Sequence, residues 1–258
     1  MLTRGKPARP TRGPASTPRY GLARVMSKRG LCSRSQAVAM ILAGRVRVNG
    51  RIEHDPERPT DAANDRIAID GADAGPTVKV YLALNKPRGI VVSAADEKGR
   101  DTVYALLKDA GLPWLGPVGR LDKASEGLLL LTNDTVWAAG ITEPDNELIK
   151  TYHVQVEGIP DVAALAAMQT GVVDAGEPLS AREARLLRSG EKNAWLEIVL
   201  NEGRNRQIRR LLSVLGFEVL RLVRVAIGGL PLGELPKGAW RVLTTEEVKA
   251  LSLRQRGN

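Results

Sequence analysis

The sequence predicts an α+β protein in which a mixed-sheet domain is preceded by a small helix-helix-hairpin domain. Three observations predict it. Strand-length apolar runs and helical segments succeed one another without strict βαβ order, which argues against a doubly wound parallel sheet. Helix and hairpin signals crowd into residues 20–52, where the basic residues also concentrate. Between the two regions, Asp73-Ala-Gly-Pro76 has the composition of a domain break. The expected organisation is a tail over 1–19, a small domain over 20–72, a linker over 73–78 and the main domain over 79–258.

The tail carries five Arg or Lys, four Pro and no acid. That much proline predicts disorder rather than helix, and no apolar core marks a signal peptide. In the small domain, Leu22, Val25 and Met26 have i, i+3, i+4 spacing, and Gly30 is placed to end that helix. Ser33 or Ser35 is placed to cap a second helix, with Ala37, Val38, Ile41 and Leu42 turned inward and Gly44 closing it. Arg45-Val46-Arg47-Val48 alternates charged and apolar residues, and Asn49-Gly50 is a strong two-residue hairpin signal. In the main domain strands are expected near 79–84, 90–93, 115–119, 127–132, 150–157, 194–200 and 219–227. Helices are expected near 101–108, 134–140, 161–169, 205–215 and 245–251.

Charge placement narrows the partner. Twelve Lys or Arg and no acid precede Glu53, while the whole chain carries +9, so the remainder is net acidic. A polyanion bound at the N-terminal end fits this asymmetry. The basic region has no aromatic or leucine stripe for a bilayer, and no apolar run is long enough to span one, so nucleic acid is preferred to membrane. Cys32 is the only cysteine, which excludes an intrachain disulfide and suits a reducing compartment. His54 and His153 are far apart and lack flanking ligand pairs, so no metal site is expected. No P-loop or Gly-x-Gly-x-x-Gly is present to suggest a nucleotide cofactor.

Three segments carry candidate chemistry. Gly119-Arg120-Leu121-Asp122-Lys123-Ala124-Ser125-Glu126-Gly127 displays an Arg and an Asp on a glycine-flanked turn, and a leucine run follows it into the core. An Asp at the end of a buried element can be positioned accurately and partly desolvated, as a catalytic carboxylate requires. Taken alone, the turn reads far more simply as a solvated Arg-Asp ion pair. Lys150–Gly158 is an alternating strand whose Tyr152 either packs in the core or stacks on a base. In Glu202–Leu212, the residues Ile208, Leu211, Leu212 and Leu215 form an apolar helix face. Arg206 and Arg210 fall opposite that face, toward phosphate or water. Arg209 lies at its edge, where it can turn inward to a carboxylate.

The stretch GLARVMSKRGLCSRSQAVAMILAGRVRVNGR resembles an S4 RNA-binding domain, departing from it at Gly21, where that family often has Arg. A helix-turn-helix DNA reader also joins two helices, but leaves the hairpin and the large C-terminal domain unexplained. The three segments in this order resemble the motifs of the bacterial ribosomal RNA pseudouridine synthases. Leu84-Asn85-Lys86-Pro87-Arg88-Gly89, Leu220–Arg224 and Gly238–Arg241 match as well, so the resemblance spans about residues 20–248. Departures are Ala124, where a polar or acidic residue is common, and Thr135, where glycine is usual.

The resemblance implies isomerisation of a ribosomal RNA uridine without metal, nucleotide or redox cofactor. Asp122 would be the essential carboxylate, acting on the ribose as base or nucleophile. Tyr152 would stack on the uracil, and Arg209 would pair with Asp122. Arg120 would contact phosphate or fill the space of the extruded nucleotide. Arg24, Lys28, Arg29, Arg34, Arg45 and Arg47 of the small domain, with Arg204 and Arg206, would contact RNA. The partner would be ribosomal RNA or an assembling ribosomal particle, with a lean to the large subunit and no membrane, and the enzyme would be a cytoplasmic monomer. A catalytically silent S4-type RNA-binding or ribosome-assembly protein is the competing reading.

Overall fold

The computed structural model describes residues 18–75, 77–93, 101–143 and 148–253. They fall into two compact units, one from the residues up to Ser27 with Arg34–Gly75, the other from Lys28–Ser33 and the chain after Gly75. Most of the expected tail, up to residue 17, lies outside the described residues.

In the N-terminal region, β1 (Arg19–Gly21) leads into α1 (Leu22–Lys28), which buries Leu22, Ala23, Val25 and Met26. The next helix, α2 (Arg34–Leu42), buries Ala37 and Ile41. Leu42, expected inward, is 61% exposed, because it sits about 100° round the helix from Ile41. The hairpin of β2 (Val46–Val48) and β3 (Arg51–Ile52) turns through Asn49 and Gly50, with φ of 51° and 84°. Two positive φ values are what a type I′ turn requires. Short strands then complete the unit: β4 (Pro59–Asp61) pairs with β1, β5 (Ile67–Ile69) with β2, and β6 (Ala72–Asp73) with β5.

The second unit is built on a nine-stranded sheet. Its elements are β7 (Tyr81–Lys86), a 3-10 turn (Val103–Leu107), β8 (Gly116–Val118), β9 (Glu126–Thr132), α3 (Thr135–Thr142), β10 (Lys150–Glu157) and α4 (Val162–Thr170). A small separate hairpin, β11 (Val172–Asp174) and β12 (Glu177–Leu179), precedes β13 (Glu183–Ser189) and β14 (Asn193–Leu200). The chain ends through α5 (Gln207–Val214), β15 (Val219–Ile227), β16 (Leu230–Pro231), β17 (Trp240–Val242) and α6 (Thr245–Leu253). The sheet order is β13-β14-β10-β15-β9-β7-β17, with β16 beside β15 and β8 beside β9. Every pairing in it is antiparallel except β15 with β9, so the sheet is mixed as expected. Among the described residues no helix is long and apolar enough to cross a membrane.

Burial explains why two neighbouring strands have different sequence patterns. Strand β9 is buried throughout: Leu129 and Leu131 enter one apolar cluster, with Ile208, Leu211 and Leu212 of α5 and Met168 of α4. Leu128 and Leu130 enter a second cluster on the other face, with Trp137 and Ile141 of α3 and Leu251 of α6. A strand covered on both faces reads as a continuous apolar run, and each buried leucine contributes about 1.5–3 kcal/mol. In β10 only Tyr152, Val154 and Val156 are buried, while His153 and Gln155 stay part-exposed. Beyond β15, therefore, one face of the sheet is open.

Two expected elements differ. Residues 90–93 form no strand, only an isolated bridge from Val91 to Thr102. Ile90 and Val92 instead pack against the first cluster, so their hydrophobicity reflects side-chain burial rather than a ladder. The helix expected over 101–108 is the 3-10 turn Val103–Leu107.

Candidate active site

The loop between β8 and β9 carries Asp122. Leu121 anchors it in the first cluster, which also contains Tyr152 of β10 and Ile208 of α5. All three segments singled out in the sequence thus converge on one core. The loop itself is held by its backbone: its carbonyls from 122 to 125 each accept a donor from elsewhere. Lys86 Nζ donates to the carbonyls of Asp122 (3.1 Å) and Ser125 (2.8 Å), and also to that of Pro87 (3.1 Å). The Gly89 amide donates to the Lys123 carbonyl at 2.8 Å. Arg209 Nη2 donates to the Ala124 carbonyl at 3.1 Å. With its main chain fixed in this way, the Asp122 carboxylate stands 42% exposed at the opening.

Lys86 is fully buried at the end of β7. Burial pushes its ammonium down to about 8, against the pull of the Asp122 and Glu126 charges. The sequence drew attention to it only through resemblance.

The arginines are arranged differently from expectation. Arg209 was expected to pair with Asp122, but its guanidinium spans from the Ala124 carbonyl to the Val219 carbonyl (3.1 Å). Its buried Nε has no partner among the described residues. Arg206 Nη1 lies 3.8 Å from Asp122 Oδ2 instead. The reason is local: Arg206 precedes α5 in a left-handed conformation, φ 50°, which swings it off the helix wheel on which it had been placed. Burial and the charges of Arg206 and Arg88 press Arg209 below the usual guanidinium value, and only Asp122 acts in the other direction. Arg210, expected to face phosphate or water, is bound to Asp174 and to Glu177 at 2.7 Å. Arg204 contacts Glu202 at 2.8 Å, Glu177 at 3.2 Å and the Pro178 carbonyl at 2.8 Å. Arg120 is exposed on the loop.

Tyr152 is 8% exposed, and its cross-strand neighbours are Ile198 and Arg224. Arg224 is 4% exposed: Nε donates to the Leu128 carbonyl at 2.7 Å, while Nη2 has no partner among the described residues. Burial, and then the Arg224 charge, lower the Lys150 amine. Arg224 was not singled out as a site residue, although a charged residue at an inward position of an apolar strand is a legible sign. Gly127 admits this packing, since a Cβ there would collide with the Arg224 backbone of the parallel neighbour β15.

Glu126 closes the loop. Its side chain is 3% exposed and accepts from Arg221 at 3.1 and 3.2 Å and from Lys237 at 2.6 Å. Burial would raise its carboxyl, but these two partners hold it below the usual value of 4.5. A carboxyl lowered in the fold stabilises above its unfolded value and loses that contribution as pH falls through its folded one. Glu126→Gln is therefore expected to cost about 1–3 kcal/mol at neutral pH, since both partners keep solvent contact. Urea unfolding of both proteins from pH 7 down to pH 3 checks this, and the difference should shrink on acidification; a gap independent of pH would mean that the ion pairs contribute nothing.

In the first unit Arg24 lies over the Tyr20 ring at 5.0 Å, and Arg47 Nη1 donates to the Gly50 carbonyl at 3.1 Å. Arg34 pairs with Glu57 at 3.1 Å and Arg45 with Asp70 at 2.6 Å. Lys28 and Arg29 fall in the stretch that groups with the second unit.

The three segments thus bring an exposed Asp122, with Arg206 nearby, and Tyr152 onto one core. Comparison with known proteins gives the family. Residues 80–214 match the RNA pseudouridylate synthase family, and residues 21–67 match the S4 domain. Ribosomal large subunit pseudouridine synthase B of Bacillus subtilis is 36% identical, over 89% of this chain and 94% of that protein. An uncharacterised RNA pseudouridine synthase of Aquifex aeolicus is 38% identical, over 88% of this chain and 91% of its own length. A crystal structure of a pseudouridylate synthase aligns with a TM-score of 0.63 at 31% identity, over 90% of this chain and 99% of that one. The chain belongs to the RNA pseudouridylate synthase family and carries an N-terminal S4 domain. It is an isomerase that acts on RNA.

Proposed function

We propose that this enzyme converts a uridine of large-subunit ribosomal RNA to pseudouridine, with Asp122 as the carboxylate that acts on the ribose. The observation that carries the reading is the clamped loop: four successive carbonyls are tied down, and the carboxylate is left presented to solvent. The assignment to the large subunit rests on the activity named for the Bacillus subtilis relative.

The reaction breaks N1–C1′, turns the freed uracil and joins C5 to C1′, so the C5 hydrogen leaves to solvent as a proton and N1 takes one up. C1′ and C5 cannot exchange while the base stays stacked, so the nucleotide is extruded at a cost of a few kcal/mol or so, which pocket contacts offset. Tyr152 stacks on the uracil, and Arg206 and Arg209 place positive charge near Asp122 as RNA closes over it. Arg120 meets the phosphate or fills the vacated space. Residues 20–72 grip the backbone through Arg24, Lys28, Arg29, Arg34, Arg45 and Arg47, assisted by Arg204, with affinity that falls steeply with salt. The enzyme works as a cytoplasmic monomer on ribosomal RNA or an assembling particle.

The test is tritium release from transcribed [5-³H]uridine-labelled RNA of each subunit. Release from the large-subunit RNA alone is expected. Release only from small-subunit RNA would move the target, and tight binding with no release from either would favour a silent RNA-binding protein.

A further inference from the structure

The open face of the sheet carries a row of side chains that the reaction does not use. Trp195 of β14 stands opposite Arg188 of β13 on one side and Gln155 of β10 on the other, and Gln155 stands opposite Arg221 of β15. The guanidinium carbons of Arg188 and Arg221 lie 5.4 and 5.5 Å from the indole centre. Trp195 is part-exposed and belongs to neither apolar cluster, although the chain is only 3% aromatic. A tryptophan that packs no core, flanked by two guanidiniums on an uncovered sheet, is a flat surface suited to a flat ligand.

The charge of the row favours an anionic ligand. Arg221 and Lys237 share the buried Glu126, leaving one positive charge in excess there. Arg185 is matched by Glu197 at 2.7 Å. Arg188, at the outer end, has no carboxylate within 4 Å among the described residues. The side chains of Arg221 and Lys237 remain 39% and 60% exposed. The row also begins at the catalytic loop, because Arg221 holds Glu126, four residues after Asp122.

We propose that Trp195, flanked by Arg188 and Arg221, is a stacking platform for an unpaired nucleotide of the same RNA that presents the target uridine. This rests on the reading of the enzyme as one that takes its uridine from an extended RNA. Aromatic rings and guanidinium planes on an open sheet stack bases without regard to sequence, and arginine N–H groups reach the adjoining phosphates. Gln155 and Trp195 lie on the face of the sheet opposite Tyr152, and the row reaches the catalytic loop only through Arg221 and Glu126, so a nucleotide held there anchors the RNA across the sheet from the reacting base.

Fluorescence anisotropy of the full-length protein with labelled oligouridylate of about 15 nucleotides tests the platform without need of the natural target. Trp195→Ala is expected to weaken binding about 5- to 100-fold, the range for loss of one base stack, and Trp195→Phe to keep most of the affinity. Arg188→Ala should lower the slope of log affinity against log salt by about 0.7, the value for one phosphate contact on a single strand. Unchanged affinity in Trp195→Ala, or equal losses in Ala and Phe variants that melt like the wild type, overturns the proposal and leaves this face to a protein partner. If Trp195→Ala does not fold, Arg188→Ala decides alone, and an unchanged salt slope overturns the platform. Tritium release run in parallel separates the two readings. If the wild type releases none from ribosomal RNA while the oligouridylate effects persist, the substrate reading fails and the platform stands.

Discussion

Asp122→Asn is expected to abolish tritium release, by at least about 1000-fold in kcat, while RNA affinity stays within a few-fold of the wild type. The amide keeps the size and the loop. The backbone contacts that hold residues 122–125 come from Lys86, Gly89 and Arg209 and from the Ser125 amide within the loop, and none of them uses the Asp122 side chain. What disappears is the charge, and with it the ability to act on the ribose or to attract Arg206 across 3.8 Å. Half-exposed carboxylates on turns are common and mostly structurally neutral, so a large kinetic loss without a stability loss is the signature of a chemical role. Single-turnover rates at saturating RNA, with thermal melts of both proteins, check it. A rate within tenfold of the wild type would place the chemistry on another residue.

Lys86→Met is expected to separate activity from stability in another way. The variant leaves the Pro87 and Ser125 carbonyls without their donor, at about 1–3 kcal/mol each, while the Asp122 carbonyl keeps the Ser125 amide at 3.0 Å. Against this, a lysine lowered from 10.5 to about 8 carries an ionisation cost of about 3 kcal/mol that methionine avoids. The two effects largely offset, so the melting temperature should move by only a few degrees. The rate should fall about 100-fold, because a loop free to shift by an ångström misplaces Asp122. The pH dependence follows from the depressed value: the cost is fully present in the wild type below pH 8 and fades toward 10.5. Wild type should therefore gain stability relative to the variant over that window. A flat difference would show that Lys86 titrates normally, and an unchanged rate would show that the loop does not depend on it.

Strands with a clear burial pattern were the most legible part of the fold. The alternation of Lys150–Glu157 and the apolar run of Val219–Ile227 gave both strands their observed limits, since each has one face or both against the core. Strand β13 was invisible for the opposite reason. Among Glu183–Ser189 only Ala184 is buried, so an edge strand with charged outward positions has no periodicity to read. The β11–β12 hairpin was missed because Ala175 and Gly176 make its turn, with φ of 49° and 82°, and Ala-Gly is a weaker signal than Asn-Gly. At the candidate site the sequence carried residue types and order. It did not give distances, which is why Arg209 was placed on Asp122 when the nearer guanidinium belongs to Arg206. Lys86 and Glu126 went unassigned because, the Pro87 carbonyl apart, their partners lie 36 to 111 residues away.

The one parallel pairing of the sheet bears on how the enzyme comes into being. Strands β9 and β15 meet through Val223 with Glu126 and Arg224 with Gly127, and bonds across this seam join residues 85 to 96 positions apart. Such closures are slow to form, because a long stretch of chain must be ordered before any contact compensates for it. The antiparallel neighbours β10 and β14, or β7 and β9, can pair without it. The seam is therefore a late event in folding. A newly made chain can have most of its sheet while Arg209 and Arg221 are still far from the loop they secure, and it becomes an enzyme only when the two halves zip together.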